Sequence, residues 1–378
     1  MKYYIIAGEA SGDLHGSNLI RQLRYLDQNA DIRCWGGDKM KAAGATLVKH
    51  YNELAFMGFT EVLKNLPTIF RNLKFCKKDI LGFKPDAIIL IDYPGFNLRI
   101  AKWAKQQQLQ KAITGKLIYY ISPQVWAWKA SRVVSMKQCI GKMICILPFE
   151  KDYYKKEWDW EVEYVGHPLV EVVDEFMVHS SSAMGVEQNE GKIIALLPGS
   201  RKQEILAKLP IMLEVTKFLP DYHFVVAKAP GVEDSFYAEL LAPYKNVSSV
   251  VNQTYELLSH AAAALVTSGT ATLETALFGV PEVICYKGNA LSYQIAKRLI
   301  RIKYIGLVNL IMDKPVVKEL IQDELTPEKL RRELEELLTN SEKQIQLKKD
   351  YTALRELLRK GGNASVNAAE TINAFLLQ

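Results

Sequence analysis

A chain of 378 residues, 49% hydrophobic and 24% charged, has the composition of a soluble globular protein and, at roughly 100–200 residues per domain, the length of about two domains. Its net charge of +6, from 48 basic and 42 acidic residues, comes without the basic residues of a recognised nucleic-acid module, so no nucleic-acid partner is expected. No window reaches the ~18 uninterrupted apolar residues of a membrane span, and "MKYYIIAGEA" lacks a leader's apolar core and cleavage site, so a cytoplasmic protein is expected.

The first element, Tyr3–Ala7, is an apolar strand running into "GEASGDLHG", where Gly8, Gly12 and Gly16 alternate with acids. A glycine turn at a helix start ordinarily takes a phosphate. This one is not spaced G-x-G-x-x-G and carries Glu9 and Asp13, so it fails the dinucleotide fingerprint in spacing and in charge. Carboxylates at a strand end accept hydrogen bonds from hydroxyls, which points to a sugar held by Glu9, Ser11 and Gly12.

Further apolar runs at Ile32–Trp35, Ala87–Ile91, Leu117–Ile121 and Met143–Leu147 alternate with helical patterns, the signature of a doubly wound parallel sheet. Between the second and third lies "VLKNLPTIFRNLKFCKK", which sets Leu63, Leu66, Ile69, Phe70, Leu73 and Phe75 among five cations with no acid. It reads either as a core helix with a basic solvated face or as a basic amphipathic helix on an anionic bilayer. "KGNALSYQIAKRLIRIK" at Lys287–Lys303 repeats the pattern. Asp92 follows the wholly apolar strand Ala87–Ile91, as a general base or as the cap of the next helix. The following strand ends in Ser122 and Gln124 beside Trp126 and Trp128, groups that suit a sugar. His167 reads equally as a substrate contact and as a structural histidine near a hinge.

Through "DEFMVHSSSAMGVEQNEGK" the periodicity fades, which marks a linker. The alternation then restarts at Ile193–Leu197 and continues through His223–Ala227, Ser248–Val251, Ala263–Thr267 and Val283–Tyr286. Two of these strands end in small polar loops ahead of helices. "PGSR" offers Gly199, Ser200 and Arg201, and "SGTATLE" offers Ser268, Gly269 and Thr270 with Glu274 one turn on, placed for ribose hydroxyls. Backbone amides and a permanent guanidinium in this pattern suit a nucleoside diphosphate. Neither loop has the lysine of a P-loop. No acidic pair or histidine cluster stands at metal spacing, so no metal is expected and Arg201 with the helix N-termini must neutralise the diphosphate. The five cysteines, Cys34, Cys76, Cys139, Cys145 and Cys285, lack C-x-x-C spacing and read as reduced core residues. Thr326 and Pro327 open a tail helix, and a last amphipathic helix covers about Ser365–Leu377. The expected domains are 1–172 and 192–345, joined by 173–191 and followed by helices over 346–378 that pack back on the N-terminal domain.

"GEASGD" (Gly8–Asp13), "MGFTEVL" (Met57–Leu63), "IDYPGFN" (Ile91–Asn97), "SPQVWAWK" (Ser122–Lys129), "LPFEKDYY" (Leu147–Tyr154), "VGHP" (Val165–Pro168), "LLPGSR" (Leu196–Arg201) and "SGTATLE" (Ser268–Glu274) together resemble the lipid-A-disaccharide synthase family over almost the whole chain. The resemblance implies a B-type glycosyltransferase fold, with two Rossmann-like domains facing a cleft. It implies an inverting, metal-independent enzyme without cofactor, peripheral on the inner face of the inner membrane. Such an enzyme transfers 2,3-diacylglucosamine from UDP-2,3-diacylglucosamine to 2,3-diacylglucosamine 1-phosphate and makes a β-1,6-linked disaccharide and UDP. The N-terminal domain then binds the acceptor and the C-terminal domain the UDP donor. Asp92 matches the family's general base, Arg201 its donor-phosphate arginine and Asn309 an asparagine near the donor. Met57, Phe59, Leu63, Leu66 and Phe70 match its membrane-contacting region, and exchange of the C-terminal segment between subunits implies a homodimer. The chain departs from the family pattern at Gly95, where a second carboxylate often stands, and at Val308, usually proline. A UDP-N-acetylglucosamine 2-epimerase, a peptidoglycan-type glycosyltransferase and a non-catalytic UDP-binding scaffold are the competing readings; "GEASGD" and "SPQVWAWK" argue against the first two.

Overall fold

The computed structural model describes residues 1–53, 66–180, 192–288, 293 and 303–378. The chain divides into two units, one of Met1–Pro168 with Leu358–Gln378 and one of Leu169–Leu357.

The first unit is built on strands β1 (Lys2–Ala7), β2 (Asp31–Gly36), β3 (Thr46–His50), β4 (Ala87–Ile91), β5 (Lys116–Tyr120), β6 (Lys142–Cys145) and β7 (Glu163–Tyr164), in the order β3-β2-β1-β4-β5-β6-β7. Every pairing is parallel. Its helices are α1 (Ala10–Leu26), α2 (Asp38–Ala42), α3 (Leu66–Phe83), α4 (Pro94–Leu109), α5 (Arg132–Cys139) and α6 (Glu150–Trp158). Strand β4, "AIILI", is buried at all five positions, as a central strand covered on both faces must be. Strand order reverses between β1 and β4, whose register pairs Ala7 with Ile91. The loops opened by Gly8 and Asp92 therefore leave the sheet side by side at its topological switch point, where ligands of such sheets bind.

The second unit repeats the plan with β8 (Ile193–Leu197), β9 (His223–Lys228), β10 (Val247–Val251), β11 (Ala261–Thr267), β12 (Glu282–Tyr286) and β13 (Lys318–Ile321), in the order β10-β9-β8-β11-β12-β13 and all parallel. Its helices are α7 (Pro168–Ser180, which begins at the unit boundary), α8 (Lys202–Val215), α9 (Asp234–Leu241), α10 (Thr254–His260), α11 (Thr270–Leu277), α12 (Leu307–Met312), α13 (Pro327–Thr339) and α14 (Ser341–Arg359). Here the switch point lies between β8 and β11, where Leu197 pairs with Val266. The "PGSR" and "SGT" loops flank it.

Two stretches differ from the sequence reading. Residues 174–180, read as linker, continue helix α7: Phe176 packs edge-on against Tyr255 and Phe278, and Asp174 pairs with Arg355. The rest of that stretch, 181–191, lies outside the described residues. Helix α14, expected with the returning tail, stays with the second unit through Leu357. Its Asp350 accepts from Lys314 at 2.6 Å, and its Arg355 donates to the Leu277 carbonyl.

Only the last helix, α15 (Ala364–Leu377), joins the first unit, packing on α1. Asn363 caps it by accepting from the Val366 amide at 2.9 Å. Asn367 donates to the Val165 carbonyl at 3.1 Å, and the Lys116 ammonium donates to the Phe375 carbonyl at 2.7 Å. The tail helix is thus tied to both sheet and loop of that unit.

Candidate active site

In the first unit, Gly8 is fixed by its neighbour: a Cβ there would collide with the ring of Tyr93, so only glycine lets the two switch-point loops approach. Glu9 is half-buried, and its charge is felt at both Asp92 and Tyr93. Asp13, the second acid of that turn, has a structural task. It is 3% exposed; one carboxylate oxygen accepts from the amides of Gly37 at 2.7 Å and Met40 at 3.0 Å, and the other accepts from Lys39 at 3.2 Å. Asp13 is the anion at the N-terminus of α2, supplied from α1. Gly12 is buried against the Cβ of Ala7, so it serves helix-on-strand packing. Ser11 is half-buried beside it.

Asp92 and Tyr93 both adopt left-handed backbone, φ 42° and 48°, which turns the chain sharply out of β4. That conformation costs of order 1–3 kcal/mol per residue and persists only when neighbours enforce it. Asn97 enforces it, its side-chain amide donating to the carbonyls of Ile91 at 3.1 Å, Asp92 at 2.8 Å and Ile6 at 3.3 Å. Tyr119 adds a hydroxyl donated to the Asp92 carbonyl at 2.5 Å. Helix α4 takes Tyr93 as its N-cap residue and has no side-chain cap, so Asp92 is not spent as a cap. Its carboxyl is pushed up to about 6, first by burial and then by the charge of Glu9, against the lowering influence of the Tyr93 amide. A carboxylate poised near neutral pH at the end of a central strand has the chemistry of a general base.

Ser122 and Gln124 part company. Ser122 is buried and its hydroxyl sits 2.6 Å from that of Tyr154, so it braces the loop from inside. Gln124 is exposed, and its carbonyl accepts from Ala127 and Trp128 in the turn that presents Trp128 to solvent. Glu150, 1% exposed, accepts from the Trp126 indole at 3.2 Å and from the amides of Ile146 and Leu147 at 3.3 and 3.0 Å. Burial raises its carboxyl to about 7 despite these donors. It knits "SPQVWAWK" to "LPFE", a role no sequence pattern indicated. His167 is buried, and burial together with nearby His15 lowers it to about 3. It is a neutral, interior imidazole.

In the second unit, Arg201 is the N-cap residue of α8. Glu204, three residues on, turns back so that its carboxylate accepts from the Ser200 amide at 3.4 Å and meets the Arg201 guanidinium at 3.4 Å. The loop's donors are therefore arranged around an anion, here a carboxylate. Gly199 lies at φ 122° against that same side chain. Across the switch point, Gly269 caps α11 at φ 154° with open space where a Cβ would stand, so the demand for glycine is conformational. Gly269 and Thr270 are exposed, while the Ser268 hydroxyl donates to the Ile305 carbonyl at 3.2 Å. Glu274 is half-buried and accepts from the Tyr255 hydroxyl at 2.7 Å; burial raises its carboxyl. Tyr255, unflagged in the sequence, orients it.

Asn309 is 1% exposed. Its amide donates to the Val317 carbonyl and to Glu319 at 2.9 Å each, and its oxygen accepts from the Val317 amide at 2.9 Å. Glu319 in turn accepts from the amides of Ile305 and Gly306 at 3.0 Å. Asn309 thus latches the start of α12 onto β13. Of the segment expected at a membrane, Met57, Phe59, Leu63 and the side chain of Leu66 lie outside the described residues, as does most of Lys287–Lys303. Phe70 is 60% exposed.

Two doubly wound parallel units, each presenting polar loops at its own switch point, define an α/β protein of the glycosyltransferase B-type fold with a helical C-terminal tail. Solved structures share it: the UDP-GlcNAc 2-epimerase of Neisseria meningitidis bound to UDP-GlcNAc (TM-score 0.67, 14% identity, all of both chains) and the calicheamicin glycosyltransferase CalG4 (TM-score 0.61, 16% identity, 100% of this chain and 98% of that one). At such identities the likeness is one of fold alone. The family model described as lipid-A-disaccharide synthetase matches residues 3–373. Lipid-A-disaccharide synthase of Geobacter metallireducens is 38% identical over 365 residues, 95% of this chain and 93% of that protein. Lipid-A-disaccharide synthase 1 of Legionella pneumophila is 38% identical over 361 residues, 94% and 92%, and the Coxiella burnetii enzyme is 35% identical over 377 residues, 98% of each. The chain belongs to the lipid-A-disaccharide synthase family and is a disaccharide-forming glycosyltransferase; the epimerase and scaffold readings are not favoured.

Proposed function

We propose that this enzyme transfers 2,3-diacylglucosamine from UDP-2,3-diacylglucosamine to the 6-hydroxyl of 2,3-diacylglucosamine 1-phosphate, with Asp92 as the general base. The observation that carries the assignment is the Asp92 carboxyl, strained into place by Asn97 and Tyr119 and raised to about 6. At neutral pH it is ionised yet basic enough to take the hydroxyl proton as the oxygen attacks the anomeric carbon. The bond to UDP breaks as the new glycosidic bond forms, and the negative charge gathers on the departing diphosphate. Arg201 and the amides of the "PGSR" and "SGT" loops stabilise that charge, and Glu274 takes the ribose. Glu9 is placed beside Asp92 to orient acceptor hydroxyls.

Helix α3 supports a membrane-surface location on the inner face of the inner membrane. One face buries Leu73, Cys76 and Ile80 in the core, while Phe70 and Phe75 stand exposed beside Arg71, Lys74 and Lys78. The buried face is that of a core helix, and the exposed face has the aromatic and basic residues of a bilayer-contacting one. Among the described residues no helix is long and apolar enough to cross a membrane. The reading is tested by incubating the protein with both diacylated substrates and weighing the product. Release of UDP without a disaccharide phosphate, or no reaction, refutes the substrate assignment.

A further inference from the structure

The second unit holds a cavity of about 400 Å³ at the end of its sheet opposite the "PGSR" and "SGT" loops. Its floor comes from the first residues of β12 and β13, Glu282 and Lys318, and its wall from α13 and α14. The phosphate-type loops leave the last residues of parallel strands, roughly 17 Å away at ~3.3 Å per residue. The size falls in the ~300–1,000 Å³ range of small-molecule sites and far exceeds the space of a single water.

Glu282 distinguishes this cavity from a surface groove. It is 1% exposed, it lines the cavity, and neither carboxyl oxygen has a hydrogen-bond partner among the described residues. The hydroxyl of Tyr351, close enough to feel its charge, is likewise buried. Two neighbouring carboxylates are already engaged: Glu333 with Lys343 at 3.4 Å and Arg332 at 3.5 Å, and Asp350 with Lys314 at 2.6 Å and Gln346 at 3.1 Å. A buried carboxyl left without donors costs free energy that a bound donor returns.

We propose that this cavity is a second binding site, for a small organic cation whose ammonium group donates to Glu282. An ammonium offers three N–H donors and no acceptor, matching the two Glu282 carboxyl oxygens that lack donors. Of the four acids that line the cavity, Glu333 and Asp350 are met by Lys343, Arg332 and Lys314, which leaves Glu282 and Glu342 against Lys318, one negative charge in excess when Glu282 is ionised. Val316, Leu337 and Leu347 supply apolar wall for a methylene chain. Among the described residues no three metal-ligating side chains converge, which selects an organic cation over a metal ion. The site is independent of the catalytic assignment.

The test is calorimetry of the full-length protein with putrescine, spermidine and ethanolamine at constant ionic strength. Saturable binding is expected in the wild type, weakened at least tenfold in the isosteric Glu282→Gln and abolished in Gln346→Trp, which plugs the cavity from α14. UDP affinity should be unchanged in both. Arg201→Ala should show the reverse, weaker UDP with intact amine binding. Equal amine affinity in Glu282→Gln, or no saturable binding of any of the three amines below about 10 mM, overturns the proposal. If Glu282→Gln does not fold, Gln346→Trp decides alone: amine binding at the wild-type level in it is the refuting result.

Discussion

Replacing Asp92 by asparagine should abolish turnover and stabilise the fold together. The carboxyl titrates at about 6 in the folded protein, chiefly because burial disfavours its charge, against about 4 in an unfolded chain. A carboxyl moved that far has its ionised form disfavoured by about 3 kcal/mol, an upper bound at a half-buried side chain. Because the folded value is the higher, the native state keeps a proton that the unfolded state has already lost between about pH 4 and 6. Stability therefore falls as pH rises through that window, and the whole penalty is present above about pH 6. Asparagine cannot ionise, so Asp92→Asn should gain up to about 3 kcal/mol at about pH 7.5 and nothing below about pH 4. All six tryptophans, Trp35, Trp103, Trp126, Trp128, Trp158 and Trp160, lie in the first unit, so urea unfolding followed by tryptophan fluorescence reads that unit alone. In the same variant kcat should fall by at least about a hundredfold with UDP affinity unaltered. The wild-type kcat/KM should lose activity on the acid side of about pH 6. A variant no more stable than wild type at about pH 7.5, or equally stabilised at both pH values, would show that the carboxylate is well solvated and remove the basis for treating it as the base.

Arg201→Ala should weaken UDP by about 1.5–3 kcal/mol, whereas Glu204→Gln, which removes the carboxylate now lying on that loop, should tighten it several-fold; calorimetry with UDP separates the two, and weaker binding in Glu204→Gln contradicts the loop assignment. Tyr255→Phe takes the hydrogen bond from Glu274 and should raise the donor KM more than it lowers kcat, an effect absent if Glu274 does not meet the ribose. Gly8→Ala drives a methyl into the Tyr93 ring and should cost about 1–3 kcal/mol of overpacking, lowering kcat through its neighbour Asp92; a melting temperature and kcat equal to wild type would show the two loops are not in contact. Gly95 has open space where a Cβ would stand, so Gly95→Asp should be stabilising by about 0.3–1 kcal/mol at the start of α4 and should move the acid limb of the pH profile upward, since a second charge raises Asp92; a downward move is the refuting outcome.

The central strands were legible because burial on both faces forces continuous apolar runs such as "AIILI". Strands β3, β7 and β13 were not, because each sits at or next to a sheet edge and mixes polar with apolar residues: "TLVKH" has no fully buried position, and β7 is two residues long. The helical character of residues 174–180 was hidden for a related reason. Its apolar positions, Val170, Val173 and Phe176, keep helical spacing only when counted from Pro168, and the stretch beginning at Asp174 starts after the pattern is half complete.

Side-chain roles divide along a physical line that residue type alone does not draw. Asp13 and Asn309 are buried polar groups whose hydrogen-bonding capacity is spent on backbone amides, carbonyls and, for Asn309, Glu319, and Ser122 turns inward to Tyr154. Such residues hold loops in place. Asp92 is different: its backbone is over-determined by Asn97 and Tyr119 while its carboxyl is opposed by burial and by Glu9. A group whose position is enforced but whose charge is disfavoured stores free energy that proton transfer releases. The sequence reading singled out all four, Asn309 by the family resemblance alone, and the accounting of their partners separates the one suited to proton transfer from the three that brace the fold.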